Sequence, residues 1–233
     1  MAFATLLSVV GTLFTTAATS YAVPMPATVD AGDLLLIFLG HDGQDTVAFN
    51  SVSGWTLVAD VDVNATGRVA CWKKIAAGNE DSTTVTVSFT GSNVQAMAYV
   101  LRYQAGTFGS GVLADVEELD SEATSATPDP PSLSPSWGSG DTSWIAFFEC
   151  DSNRSVSAFP SSYGNTNDQG VTTNAAHQGI CTRQNAVATE NPGTFTISAS
   201  DQWRAMTLAI RGLSAAAGQA PRTMHQARMR RVA

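Results

Sequence analysis

Two stretches of the chain, AMAYVLR at residues 96–102 and AMTLAIR at residues 205–211, repeat one pattern at a distance of 109 residues. In the first stretch Met97, Tyr99 and Leu101 alternate with their neighbours, so they share one face of an extended strand. The second stretch alternates in the same way from Met206 to Ile210. A repeated strand of this kind predicts a β protein built from two similar halves.

Three further blocks repeat in the same order and at nearly the same distance. The pair GD at 32–33 and 140–141 opens an apolar run, and SGW at 53–55 is matched by SSY at 161–163. Cys71 and Cys181 each lie 13 residues before an alternating strand, TVTVS at 84–88 and TFTIS at 194–198. The offsets of 108 to 110 residues predict an internal duplication of about 109 residues, with pseudo-repeats at about 26–103 and 128–212.

The fold class that follows from these blocks is all-β. Period-2 alternation and intervening Gly, Pro and Asn residues are typical of strands and turns, and the only candidate helix is a short one in the tail. A half with four or five strands leaves one apolar face open, so we expect residues 1–212 to form a single jelly-roll-like two-sheet sandwich. The run 34–39 is apolar on both faces, which predicts a central strand covered on both sides.

The apolar segment at residues 2–22 is predicted to be one or two strands of this fold. It has no Lys or Arg before the apolar run, unlike a secretory signal peptide, and Thr and Ser interrupt it too often for a membrane span. The three cysteines, Cys71, Cys150 and Cys181, lack the close spacing of a disulfide framework or a zinc site. They are therefore predicted to be reduced core residues.

Charge is scarce and unevenly distributed. Only 14% of the residues are charged, against roughly 25% in an average soluble domain. Residues 1–212 hold 8 basic and 20 acidic residues, a net charge of −12, which argues against a nucleic-acid-binding domain. Residues 213–233 hold no acidic residue and four basic ones, Arg222, Arg228, Arg230 and Arg231. This basic C-terminal arm is predicted to make assembly contacts, with a solvated tail as the alternative.

An acidic stretch is the predicted counterpart of the arm. Its residues form the densest charge cluster of the chain: Asp115, Glu117, Glu118 and Asp120, followed by Glu122. An inter-subunit contact and a solvated face are both compatible with such a run. The spacing lacks the DxDxDG pattern of a calcium loop, so no metal site is predicted.

Catalytic motifs are missing from the sequence, and the chain is predicted not to be an enzyme and to need no cofactor. There is no GxSxG elbow, HExxH pair, phosphate loop or dinucleotide fingerprint, and the three histidines lie in unrelated contexts. Five tryptophans leave open a sugar-stacking surface, although most are expected in the core. Trp55 corresponds to Tyr163 in the second half, which favours a core position for it.

The blocks resemble a sandwich family that is widespread in tailed bacteriophages and gene transfer agents. The resemblance covers residues 24–212, and the segments that carry it are Pro26, GDLLL at 32–36, GWTLV at 54–58, WKKIAAG at 72–78, TVTV at 84–87, RY at 102–103 and WRAMTLAIR at 203–211. It implies a virion structural protein, assembled in the host cytoplasm. Within that group we expect a head decoration, or cement, protein that stabilises the capsid exterior.

The partners that this resemblance implies are the major capsid protein and further copies of the chain, as a homotrimer, without nucleic acid or membrane. The alternative is a tail or fibre protein whose sandwich binds a carbohydrate on the host surface. Neither reading carries catalytic residues over to this chain.

Overall fold

The computed structural model describes residues 2–43, 47–63, 66–109, 115–171 and 176–213. In it, the segments whose apolar and polar residues alternate form β-strands. The first half contains β1 (Leu6–Ala18), β2 (Ser20–Pro24), β3 (Leu34–His41), β4 (Thr56–Val63), β5 (Gly67–Ile75), β6 (Thr84–Ser88) and β7 (Val94–Tyr103). The second half contains β8 (Val116–Ser125), β9 (Thr142–Cys150), β10 (Val156–Ala158), β11 (Gly164–Val171), β12 (Ala176–Asn185), β13 (Thr196–Ile197) and β14 (Asp201–Arg211). None of the described segments forms a helix with the length and apolarity that a membrane crossing requires.

Two five-stranded antiparallel sheets form the body of the sandwich. Sheet A has the order β1-β7-β3-β5-β4, and sheet B has the order β11-β12-β9-β14-β8. The two orders are the same when β1 is matched with β8, β3 with β9, β4 with β11, β5 with β12 and β7 with β14. This is the arrangement that a duplicated half would give, and the duplication itself stays a prediction.

Two short strand pairs add a further layer to each sheet. Pair β2–β6 covers the outer face of sheet A, and pair β10–β13 covers the outer face of sheet B. The sandwich thus has four layers, and the expected total of eight to ten strands was too low. All strands of sheet A precede those of sheet B, so the chain crosses between the sheets once, between Tyr103 and Val116. A β-sandwich is therefore established, whereas a jelly-roll-like connectivity is not.

The main core lies between the inner faces of the two sheets. Phe38 of β3 stacks on Phe147 of β9 with ring centroids 4.9 Å apart, and Tyr99, Met206 and Leu208 fill the same layer. The apolar residues of the repeated blocks are the ones that the alternation assigns to the core. Of these, Val87, Met97, Phe195, Ile197 and Met206 are buried, and Val85 is partly buried. Burial of apolar area on this scale is the main stabilising term of the fold.

Strand β3 is buried on both faces, as its continuous apolar run predicted. Leu34, Leu36 and Phe38 face sheet B, whereas the alternate residues face pair β2–β6. The N-terminal segment also forms strands as predicted, since residues 6–18 pair with β7 and residues 20–24 pair with β6.

The cysteines are buried and free, but they do not occupy matching positions. Cys71 of β5 and Cys181 of β12 lie on corresponding strands of the two sheets. Cys71 faces the central core, however, while Cys181 faces the outer core under Phe195. The two methionines, Met97 and Met206, both face the opposite sheet. A shift of one residue in the alignment moves a strand residue to the opposite face of its sheet. Cys71 and Cys181 therefore lie on corresponding strands but not at equivalent positions.

Candidate functional site

The predicted assembly residues fall into two groups. Asp115, Glu117, Glu118 and Asp120 lie at and along β8, which is an edge strand of sheet B. Arg222, Arg228, Arg230 and Arg231 lie outside the described residues. The described chain ends at Leu213, whose N–H donates to the carbonyl of Thr107. The last described residue, Leu213, therefore lies beside the segment 107–109, and Gly109 in turn lies against the carboxylate of Asp115.

Part of the acidic edge is neutralised within the molecule by Arg204 of β14. Its guanidinium binds Asp120 at 2.7 Å, Glu122 at 2.8 Å and Asp62 of β4 at 3.0 Å, and its Nε donates to the carbonyl of Asp62. The side chain of Arg204 is only 12% exposed, whereas those of Asp62 and Glu122 are 45% and 44% exposed, so the network is buried on its arginine side and open to water on its carboxylate side. The network joins an edge of sheet A to an edge of sheet B. At the other end of β8, Asp115 and Glu117 lie near the ammonium group of Lys73.

At that end of β8, burial shifts the pKa of a carboxyl group. Glu117 accepts hydrogen bonds from the backbone N–H of Ser136 at 2.8 Å and from its hydroxyl. Burial, assisted by the charge of Asp120 and opposed by Arg204, raises the pKa of Glu118 to about 7. This carboxyl therefore titrates near neutral pH, and the negative charge of the edge grows as the pH rises through that value.

A second polar group lies between the sheets, around Glu149 of β9. Its Oε2 accepts a 2.7 Å hydrogen bond from Gln178, and burial raises its pKa well above the ordinary value. A Cβ atom at Gly40 would lie 1.4 Å from this oxygen, so only glycine fits opposite the carboxyl. A carboxyl that is packed this closely leaves no space beside it for a substrate.

The histidines are also accounted for by packing. The Nε2–H of His41 donates a hydrogen bond to the carbonyl of Val47 at 2.9 Å, and burial lowers the pKa of His41 to about 4. His177 bonds Asn153 at 2.9 Å and Asp168 at 3.2 Å. Among the described residues, neither imidazole has a hydroxyl or thiol partner, and no group of three metal-binding side chains comes together. His225 lies outside the described residues.

A shallow concavity of about 200 Å³ lies on sheet A beside Trp55, which is half-buried. Trp72, Asn50 and Asp60 also line it. The amide of Asn50 donates to the hydroxyl of Ser88, and the carboxylate of Asp60 binds Arg68 at 2.6 Å. Trp72, Trp144 and Trp203 are buried in the core as expected, whereas Trp55 keeps part of its ring accessible. A partly accessible indole in a concavity with polar neighbours can stack on a sugar ring.

The position of Trp55 is set by a three-residue unit that recurs in the second half. Lys74 lies 6.0 Å from the centroid of the Trp55 ring and binds Glu80 at 2.8 Å. The corresponding residues of the second half show the same two distances: Tyr163, Arg183 and Glu190. Their offsets from the first unit are 108, 109 and 110 residues. The pairing of Trp55 with Tyr163 was predicted, while the basic and acidic members were not.

Comparison of the chain with protein-family models, with curated proteins and with solved structures finds no match. Function must therefore be inferred from the residues of the chain and their geometry.

Proposed function

We propose that this chain is a structural protein of a phage-like virion, and specifically a decoration protein that binds the outside of a capsid shell. The observation that carries the proposal is the separation of charge between an acidic sandwich and a basic C-terminal arm. Leu213, the residue that the arm follows in the chain, lies near the start of β8, so in this proposal the arm of one copy binds the β8 edge of a copy beside it. The resemblance in residues 24–212 supplies the context of the virion.

The architecture supports a structural role in a second way. Both large sheets are covered on both faces, and between them Gln178 donates a hydrogen bond to Glu149. Such a body is rigid, and it offers its edges and loops rather than a cleft. Attraction between exposed charges is screened within about 8–10 Å at physiological salt, so the arm must make close contact in order to contribute. Arginine suits this contact because its guanidinium binds a carboxylate through two hydrogen bonds.

The test is to locate the protein in particles that are purified from the organism that encodes it. We expect gold-labelled antibody on the shell surface, and we expect purified protein to bind shells stripped of it. A variant with all four arginines of the arm changed to Gln should bind the shells weakly and remain folded. Asp129→Asn, an exposed change outside the arm, is the matched control. Protein that never copurifies with particles would overturn the proposal.

A second candidate function, binding of a host-surface carbohydrate by a tail or fibre protein, is favoured by the concavity at Trp55. The expected result is retention of a surface polysaccharide or glycan-array ligand that Trp55→Ala abolishes and Tyr163→Ala leaves intact. Label at the tail tip together with this result would select the second function. Label on the shell without glycan binding would select the first.

A further inference from the structure

The four edge strands of the two sheets differ in charge. Three of them carry acidic residues: Asp60 and Asp62 on β4, Glu117, Glu118, Asp120 and Glu122 on β8, and Asp168 on β11. Strand β1, LLSVVGTLFTTAA at residues 6–18, contains no charged residue and no proline. Charges and prolines on edge strands prevent pairing with other chains, so β1 is the one edge of these sheets without this protection.

Strand β1 is also the longest strand, with 13 residues, or about 43 Å at 3.3 Å per residue. It pairs with β7 on one side, and no described strand pairs with its other side. Leu7 and Leu13 are each 43% exposed. A groove of about 290 Å³ between β1 and β11 is lined by residues 6–9 and by the neutral amides of Asn165 and Asn167. The free edge thus offers backbone donors and acceptors next to apolar side chains.

At the opposite rim of the sandwich, ion pairs join the edge strands of the two sheets. There Arg204 connects β4 of sheet A with β8 of sheet B through three carboxylates. No ion pair of this kind is recorded for the described residues of β1. The two rims therefore differ. Ion pairs connect the sheets at the β4–β8 rim, whereas β1 carries no charge and no described strand pairs with its outer side.

We propose that β1 is the contact between two copies of this chain, which pair antiparallel along it about a two-fold axis. The charge distribution favours a second copy of this chain as the partner of β1. The body has a net charge of −12, so contact through β4, β8 or β11 would place like charges together, whereas β1 adds no repulsion against itself. A two-fold axis near Val10 brings the exposed leucines of one copy opposite those of the other. The two copies of sheet A then form one continuous ten-stranded sheet.

The pairing is independent of the proposed virion function and is tested on the full chain in solution. Light scattering during size-exclusion chromatography at micromolar concentration should give twice the mass of the chain. Leu13→Lys should raise the dissociation constant of the dimer by about tenfold or more, because it places one cation from each copy at the contact. The matched control is Leu119→Lys on edge β8, which changes a leucine that is 45% exposed and should leave the mass unchanged.

Two further measurements separate this contact from association through the arm and from misfolding. Dimers held by β1 should persist at 0.5 M salt, whereas contacts of the basic arm weaken as salt rises. Hydrogen exchange should show protected amides along β1 in the wild type and faster exchange there in Leu13→Lys, with the thermal melt unchanged. A monomer at every concentration, a three-copy particle, or a dimer that Leu13→Lys leaves intact would overturn the proposal.

Discussion

Replacing Glu80 with Gln should make the stability of the protein much less dependent on acid. The side chain of Glu80 is 6% exposed, and its carboxylate accepts bonds from the N–H groups of residues 77, 78 and 79 at 2.9–3.1 Å and binds Lys74 at 2.8 Å. Burial by itself would raise the pKa of this carboxyl, but Lys74 and the three N–H groups outweigh it and lower the pKa to about 2. The ionised form is therefore favoured by the folded state.

The size and sign of the effect follow from this pKa. A fall from 4.5 to about 2 corresponds to about 3 kcal/mol of stability, which is present above pH 4.5 and is lost as the pH falls towards 2. Over that interval the unfolded chain binds the proton first, so acid favours unfolding. Glu80→Gln removes the charge and should lower the free energy of unfolding by about this amount at pH 7.

The assay is urea unfolding of the wild type and of Glu80→Gln at a series of pH values from 7 to 3. The difference in unfolding free energy between the two proteins should be largest at pH 7 and should shrink as the pH falls below 4.5. Asp129→Asn, which removes an exposed carboxylate, should be within about 0.5 kcal/mol of the wild type at every pH. A difference for Glu80→Gln that stays constant with pH, or is absent at pH 7, would refute the reasoning.

Three other changes give separate tests. Met206→Ala, in the core between the sheets, should cost about 2–5 kcal/mol in urea unfolding, and an unchanged melt would count against its assignment to the core. Since burial lowers the pKa of His41 from 6.5 to about 4, stability should fall as the pH drops through that interval, and His41→Gln should flatten this part of the profile. Truncation after Gly212 should leave a folded protein whose association with shells is weak; binding at wild-type occupancy with the same salt response would show that the arm is only a solvated end.

The repeated blocks were sufficient to predict the fold class and most of the core, because their apolar side chains alternate with the period of a strand. Strand β3 and the strands at residues 94–103 and 201–211 were predictable for this reason. The two outer strand pairs could be predicted from the sequence only in part. Residues 84–88 and 194–198 both alternate, although only Thr196 and Ile197 of the second block form a strand; β10, with three residues, is too short to show a period.

Positions on a face were harder to predict than strands. Both faces of β5 and β12 are covered by apolar layers, so the hydrophobic pattern does not reveal which face Cys71 or Cys181 occupies. The acidic cluster was visible in sequence, but its partner was not. Arg204 and Asp62 are 142 residues apart in the chain and come into contact only when sheet A packs on sheet B. No spacing in the sequence predicts such a contact.

The covering of both large sheets by further layers has a consequence for how this protein can evolve. A substitution on β3 meets packed neighbours whichever way its side chain points, so change there disturbs the core before it alters any surface. New binding properties must arise instead on the rims, the connecting loops and the outward sides of the thin outer pairs. Lineages that carry this sandwich should therefore keep residues 34–39 almost unchanged while their rims diverge.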